Sequence, residues 1–163
     1  MQRAALDEKE LNKLETHISD FARKNNLSFS EVLAMIDSKD KLPISVFSDK
    51  LSPLESVVKY LREEMNLTFK EISGMLGKEA AACWTAYKNA SKKDKKRFSF
   101  APSKYDIPLT KIHSDRLSIL EIVSLHLKDD MDLGFREIGK LIGRDERTIW
   151  TTYHRANKKV KSK

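Results

Sequence analysis

The sequence predicts an all-α fold: two tandem three-helix units preceded by a truncated helical hairpin. Three observations carry that expectation: a composition of helix formers, a gapless internal repeat, and apolar residues at helical spacing within each copy. Of 163 residues only five are Gly and four are Pro, while Leu, Lys, Glu, Ala and Arg dominate. Few turn-makers and many strong helix formers favour helices over a sheet protein with many turns. Hydrophobic residues make up 40% of the chain, enough for a core divided among small units.

Residues 51–93 and 117–159 align without a gap at an offset of 66, with 18 of 43 positions identical. Self-similarity of this kind marks a repeated structural unit. Each copy follows a similar lead-in, LPISVFSDK and IPLTKIHSDR, the second one residue longer. A weaker copy at an offset of 40 places Leu14, Glu15, Asn26, Leu27, Phe29, Glu31 and Met35 over Leu54, Glu55, Asn66, Leu67, Phe69, Glu71 and Met75. It stops at DSKDKLP, where the others continue into a Trp-containing helix. The expected organisation is therefore a helical pair in 1–40, a unit in 41–93, a basic linker in 94–106, and a second unit with a basic tail in 107–163.

In the last copy Ser118 and Glu121 have the spacing of a capping box, which starts a helix. Leu120, Val123, Leu127 and Met131 follow at helical spacing. A short second helix, about 134–142, carries Phe135, Ile138, Leu141 and Ile142, and Gly143 suits the left-handed residue that ends it. Asp145 can cap a third helix running to about Lys159. Two helices joined by a short Gly-containing turn have the signature of a helix-turn-helix.

The net charge is +7, which favours a polyanionic partner. Residues 1–40 carry about −2, 41–106 about +5 and 107–163 about +4, so the basic excess lies in the last two thirds. The single cysteine, Cys83, leaves no intrachain disulfide and no multi-Cys zinc site, and it matches Ile149 as a small core residue. His17, His113, His126 and His154 lack metal-ligand spacing, GMLGKEA lacks the Gly spacing of a phosphate loop, and no catalytic pairing stands out. No enzyme activity, cofactor or small-molecule substrate is expected. No apolar run reaches the roughly 20 residues of a membrane span, and MQRAALDEKELNKLE is too charged for a signal peptide. The expected location is the cytoplasm, on the nucleoid.

FREIGKLIGRDERTIWTTYHRA resembles the helix-turn-helix of sigma-70 region 4 and of related archaeal and phage regulators; FKEISGMLGKEAAACWTAYKNA resembles it less well. The resemblance spans about 22 residues in each of two places. It implies a three-helix module whose third helix enters the major groove of double-stranded DNA. Nothing in the chain corresponds to the regions of a sigma factor that bind polymerase and melt a promoter.

On the third helix, Ile149, Thr152, Tyr153 and Ala156 share one face and should be core. Arg147, Thr151, His154 and Lys158 fall opposite, flanked by Thr148 and Arg155. Arg147 is the candidate for base readout, because its planar fork matches guanine O6 and N7. Thr148 and Thr151 can touch bases or phosphates; Arg144, His154, Arg155, Lys158 and Lys159 suit phosphates, which position without specifying. The first unit has Ala81 and Ala82 where the second has Arg147 and Thr148, keeping Lys78, Thr85, Lys88 and Lys92. It can grip phosphate but has little with which to read bases; its Ala-rich helix suits a protein surface equally. Trp84 and Trp150 match, at the edge of the core, where each ring can wedge beside the first helix or donate to a phosphate. The linker, with Lys95, Lys96 and Arg97, reads either as a solvated tether or as a strand lying along the DNA backbone or in the minor groove. Extended, its 13 residues reach about 40 Å, enough to set two modules a helical turn apart.

The expected function is double-stranded DNA binding, as a transcriptional regulator or a nucleoid-associated protein, with the acidic N-terminal helices serving for packing, for homodimerisation or for docking a partner. The rival readings are a helical scaffold that binds a polymerase or capsid protein and, after it, an RNA-binding protein.

Overall fold

The computed structural model describes residues 7–33, 40–99 and 103–162. The chain forms two compact units, Met1–Lys39 and Asp40–Lys163. It is all-α, apart from one pair of two-residue strands among the described residues.

The first unit holds α1 (Glu8–Lys24), capped by Asp7, whose carboxylate accepts the Lys9 amide at 3.1 Å. Asn26 then takes a left-handed conformation, φ 56°, and residues 29–33 are helical again. Ser28 and Glu31 form a reciprocal capping box at the start of this second helix. The same device recurs at offsets of 40 and 66: left-handed Asn66 before the Thr68–Glu71 box, and left-handed Asp132 before Gly134 and Glu137. Gly134 has no side chain to cap with, so only its amide takes part, donating to Glu137 at 2.8 Å. Asn and Asp tolerate this conformation better than other residues with a side chain. The truncated copy thus has the hairpin geometry of the complete ones as far as Leu33; its remaining residues, 34–39, lie outside the described ones.

In the second unit, β1 (Lys41–Leu42) and a short 3-10 turn lead into α2 (Pro53–Glu63), α3 (Phe69–Leu76) and α4 (Ala80–Lys93). The second lead-in, β2 (Ile107–Pro108) with its own 3-10 turn, precedes α5 (Ile119–Leu125), α6 (Phe135–Ile142) and α7 (Glu146–Lys161). A π-helical turn, His126–Asp130, extends α5. The expected caps are in place: the Ser118–Glu121 box, Asp145 on the Thr148 amide, and Gly143 at φ 67°. The apolar stripes meet in one continuous core that includes Val57, Leu61, Ile72, Val123, Leu127, Ile138 and Ile149. Cys83 is buried in it, and burial pushes its thiol above the ordinary value.

The two repeats grip each other reciprocally. β1 and β2 pair antiparallel, with Leu42 opposite Ile107, its own counterpart in the aligned lead-ins. A residue facing its counterpart places a pseudo-two-fold axis through that pair. The first helices, α2 and α5, pack on each other across it. The turn of each three-helix set then seats on the other's lead-in. The Lys78 ammonium donates to the carbonyls of Ser114 and Leu117, the latter at 2.9 Å. Arg144, its counterpart, donates to the carbonyls of Ser48 and Leu51 at 2.8 and 2.7 Å. Both turn glycines need their positive φ, and both lie against the opposite lead-in: an added Cβ would come 2.8 Å from Asp115 at Gly77 and 2.7 Å from Asp49 at Gly143. The one-residue excess of the second lead-in is His113, which lies on the surface with Nδ1 3.1 Å from the Gly74 carbonyl oxygen.

This arrangement corrects the picture of modules strung on an extended linker. Asp106, at the linker's end, is buried and accepts the amides of Ile44 and Ser103. At its start, Lys59, itself buried, donates to the Lys96 carbonyl at 2.9 Å, pairs with Glu63 and lies 5.0 Å from the Phe98 ring. Arg97 donates to the Glu63 carbonyl at 2.6 Å. Satisfied charges and an aromatic anchor hold the segment down, so it spans no gap between separate modules.

Glycine substitutions test the packing. A Cβ at Gly139 would sit 2.4 Å from the Arg144 carbonyl oxygen, so Gly139→Ala should lower stability by about 1–3 kcal/mol in urea unfolding. Gly74, inside α3 with open space around it, should behave oppositely: Gly74→Ala should raise stability by about 0.5–1 kcal/mol.

Candidate nucleic-acid interface

The third helix of the second repeat, α7, is set by its inner face. Ile149, Thr152 and Ala156 are buried, and the Tyr153 ring packs tilted against Phe135 at 5.4 Å while its hydroxyl donates to Asp129 at 2.7 Å. This pinning turns Arg147, Thr151, His154, Arg155 and Lys158 outward, all exposed. Among the described residues the cationic groups of Arg147, Arg155 and Lys158 form no hydrogen bond or ion pair. Thr148 is half-buried, and its hydroxyl is committed to Asp145 at 2.5 Å. The Asp145 carboxylate is held below the ordinary range by that bond and by the amides it caps.

Trp150 is 51% exposed and Trp84 is 49% exposed, so each ring keeps about half its surface in solvent. Each lies about 100° around its helix from the buried residue before it, on the shoulder of the outward face. Trp150 packs against His154 at 4.2 Å, and the Lys88 ammonium sits 4.8 Å from the Trp84 ring. Arg147, Trp150, Thr151 and His154 therefore form one contiguous surface on α7.

The corresponding face of α4 is plainer. Ala81, Ala82, Thr85, Lys88 and Lys92 are exposed, and the Thr85 hydroxyl turns back to the Ala81 carbonyl at 2.9 Å. Glu79 starts α4 without a side-chain cap, unlike Asp145.

Several cations anticipated as phosphate contacts have partners within the chain instead. Lys78 and Arg144 clasp the opposite lead-ins, where their donors satisfy carbonyls that would otherwise be poorly solvated. Lys159 pairs with Glu121 at 2.9 Å, and its counterpart Lys93 pairs with Glu55 at 2.8 Å. Arg97 is bound to Glu63 and Glu64, whereas Lys95 and Lys96 keep exposed side chains. The basic tail is helical: α7 continues to Lys161, and Ser162 meets Arg116 at 3.4 Å. The clasp was missed although its parts recur at an offset of 66, Lys78 with Arg144 and Ser48 and Leu51 with Ser114 and Leu117. Repetition showed that these positions match but not that they touch.

Among the described residues no group of three or more His, Cys, Asp or Glu is placed to hold a metal ion, and no helix is long and apolar enough to cross a membrane. Compared with known proteins, the chain matches no family model, no curated protein and no solved structure.

The repeated ion pairs make stability pH-dependent. Burial works to raise the pKa of Glu55 and Glu121, but the lysine partner and the Ser52 or Ser118 cap outweigh it, leaving both below the ordinary 4.5. A carboxylate lowered on folding stabilises fully above its unfolded value, and that stability is lost as pH falls through the folded one. The urea midpoint should therefore decline as pH falls below the ordinary 4.5 of these carboxyls, and Glu121→Gln should make the decline shallower.

Proposed function

We propose that the chain binds double-stranded DNA through the outward face of α7, as a transcriptional regulator or a nucleoid-organising protein. One observation carries this reading: Arg147, Arg155 and Lys158 stand unpaired on one helix face, while Lys78, Lys93, Arg97, Arg144 and Lys159 each have a partner within the chain. Unpaired cations on a rigid, exposed helix are free to replace phosphate counterions. Arg147 lies in the first turn, where a recognition helix meets base edges, and its fork suits guanine. The resemblance of 135–156 to the sigma-70 region 4 helix-turn-helix supports the same docking. Thr151 and Trp150 extend the reading face; Arg155, Lys158 and His154 hold the backbone. Lys88, Lys92, Lys95 and Lys96 add affinity that does not depend on sequence.

The first unit favours a protein-binding role beside this one. Leu11, Leu14, Phe21, Phe29 and Leu33 are exposed on it. Phe21 corresponds to Leu61 and Leu127, both fully buried in the complete repeats. A hairpin that lacks its third helix leaves that position uncovered, and a second copy of the hairpin supplies the missing surface. In sedimentation the wild type should then be a dimer and Phe21→Glu a monomer; a monomeric wild type at all concentrations would refute this assignment.

Replacing Arg147 with Ala should cost about 1–3 kcal/mol of binding and relax preference at one base position. Unchanged affinity and preference would remove Arg147 from the interface. Replacing Lys95 and Lys96 together with Ala should lower the salt slope of duplex binding by about 2 without altering preference. Footprinting separates the two biological outputs: a discrete protected site marks a regulator, and length-dependent coating marks an organiser.

A further inference from the structure

Resting on the DNA-binding reading, we infer that one chain reads a lopsided inverted repeat: a sharp half-site under α7 and a permissive half-site under α4, at a fixed spacing. The argument begins with symmetry. Leu42 faces its counterpart Ile107, α2 packs on its counterpart α5, and each turn clasps the other's lead-in. Such reciprocal contacts arise from a two-fold relation and not from a translation. Two helices related by a two-fold axis make equivalent contacts to one duplex only if the duplex's own dyad lies on that axis. The target's halves therefore run in opposite directions, as in sites bound by symmetric dimers, although here both reading helices belong to one chain.

The spacing follows from rigidity. Both three-helix sets share a continuous core, and buried Asp106 and Lys59 hold the connection down at either end. No hinge is left among these contacts to let α4 and α7 separate by a variable distance.

The inequality of the halves follows from the outward residues. At an offset of 66, Arg147 meets Ala81, Thr148 meets Ala82 and Arg155 meets Asn89. Thr151 meets Thr85, His154 meets Lys88 and Lys158 meets Lys92. The groups able to contact phosphate are largely kept, and the planar group able to read a base is lost from α4. Half-site discrimination should therefore reside almost wholly beneath α7.

The test is selection of bound sequences from random duplex DNA with the full chain, followed by a graft. For the wild type we expect an inverted repeat with one well-defined half, one weakly defined half, and constant spacing. A direct repeat, a variable spacing, or a single half with nothing beyond it would overturn the inference. So would two equally sharp halves with no weak half beside either, because that is the product of two chains each using α7 alone. The graft carries Ala81→Arg with Ala82→Thr, both at exposed positions, and should keep the wild-type urea midpoint. It should bind a perfect palindrome of the sharp half about tenfold tighter than the wild type does. An unchanged preference in a folded graft would again overturn the inference. Failure of the wild type to retain any duplex at low salt is a distinct result, which removes the DNA-binding reading itself.

Discussion

The mutual clasp between the repeats is the contact on which the second unit depends. Lys78 and Arg144 each reach out of their own turn and close the backbone of the opposite lead-in. Those carbonyls precede α2 and α5, so the donor that completes the entry to one helix bundle comes from the other bundle. The glycines beside the two cations are part of the same device, since any side chain there would meet the opposite backbone. The interface resembles a domain core more than a docking of finished modules, and it fixes where α4 and α7 stand.

The division of labour among the charges follows from it. A cation that satisfies buried carbonyls, or pairs with a buried carboxylate, is structural whatever its position on a helical wheel. Lys59, Lys93, Arg144 and Lys159 are of this kind. Inner features are kept in both copies: the tilted Phe69–Tyr87 and Phe135–Tyr153 ring pairs, the Ser52–Glu55 and Ser118–Glu121 boxes, and the left-handed Asn66 and Asp132. The outward faces of α4 and α7 have diverged instead. Ser73 and Gly139 show the same backbone approach met in two ways: Ser73 donates its hydroxyl to the Lys78 carbonyl at 2.6 Å, and Gly139 simply leaves room for that of Arg144.

Much of the fold was legible because its determinants are local. Capping boxes, left-handed glycines and apolar stripes act within one or two turns of helix, so Ser118, Asp145, Gly143 and Ile149 could be placed from spacing alone. The candidate face of α7 was legible for the same reason, since wheel geometry puts Arg147, Thr151 and Lys158 opposite the core. What escaped depends on contacts between residues 33 to 96 positions apart. The linker's basic run suggested a strand reaching for phosphate, yet Arg97 had Glu63 and Glu64 available. Lys78, Arg144 and Lys159 were counted as surface because a wheel describes one helix and carries no knowledge of a neighbouring chain segment. The tryptophans fall where helical geometry puts them, on the shoulder of the helix, and half of each ring faces solvent there.

Those tryptophans carry an optical consequence. Both indoles are already half in solvent in the native fold, one beside His154 and the other beneath the Lys88 ammonium. Their emission reports poorly on denaturation, which changes their hydration only in part. It reports well on anything that covers the outer faces of α4 and α7, and a dynamic quencher such as acrylamide would count the indoles still uncovered.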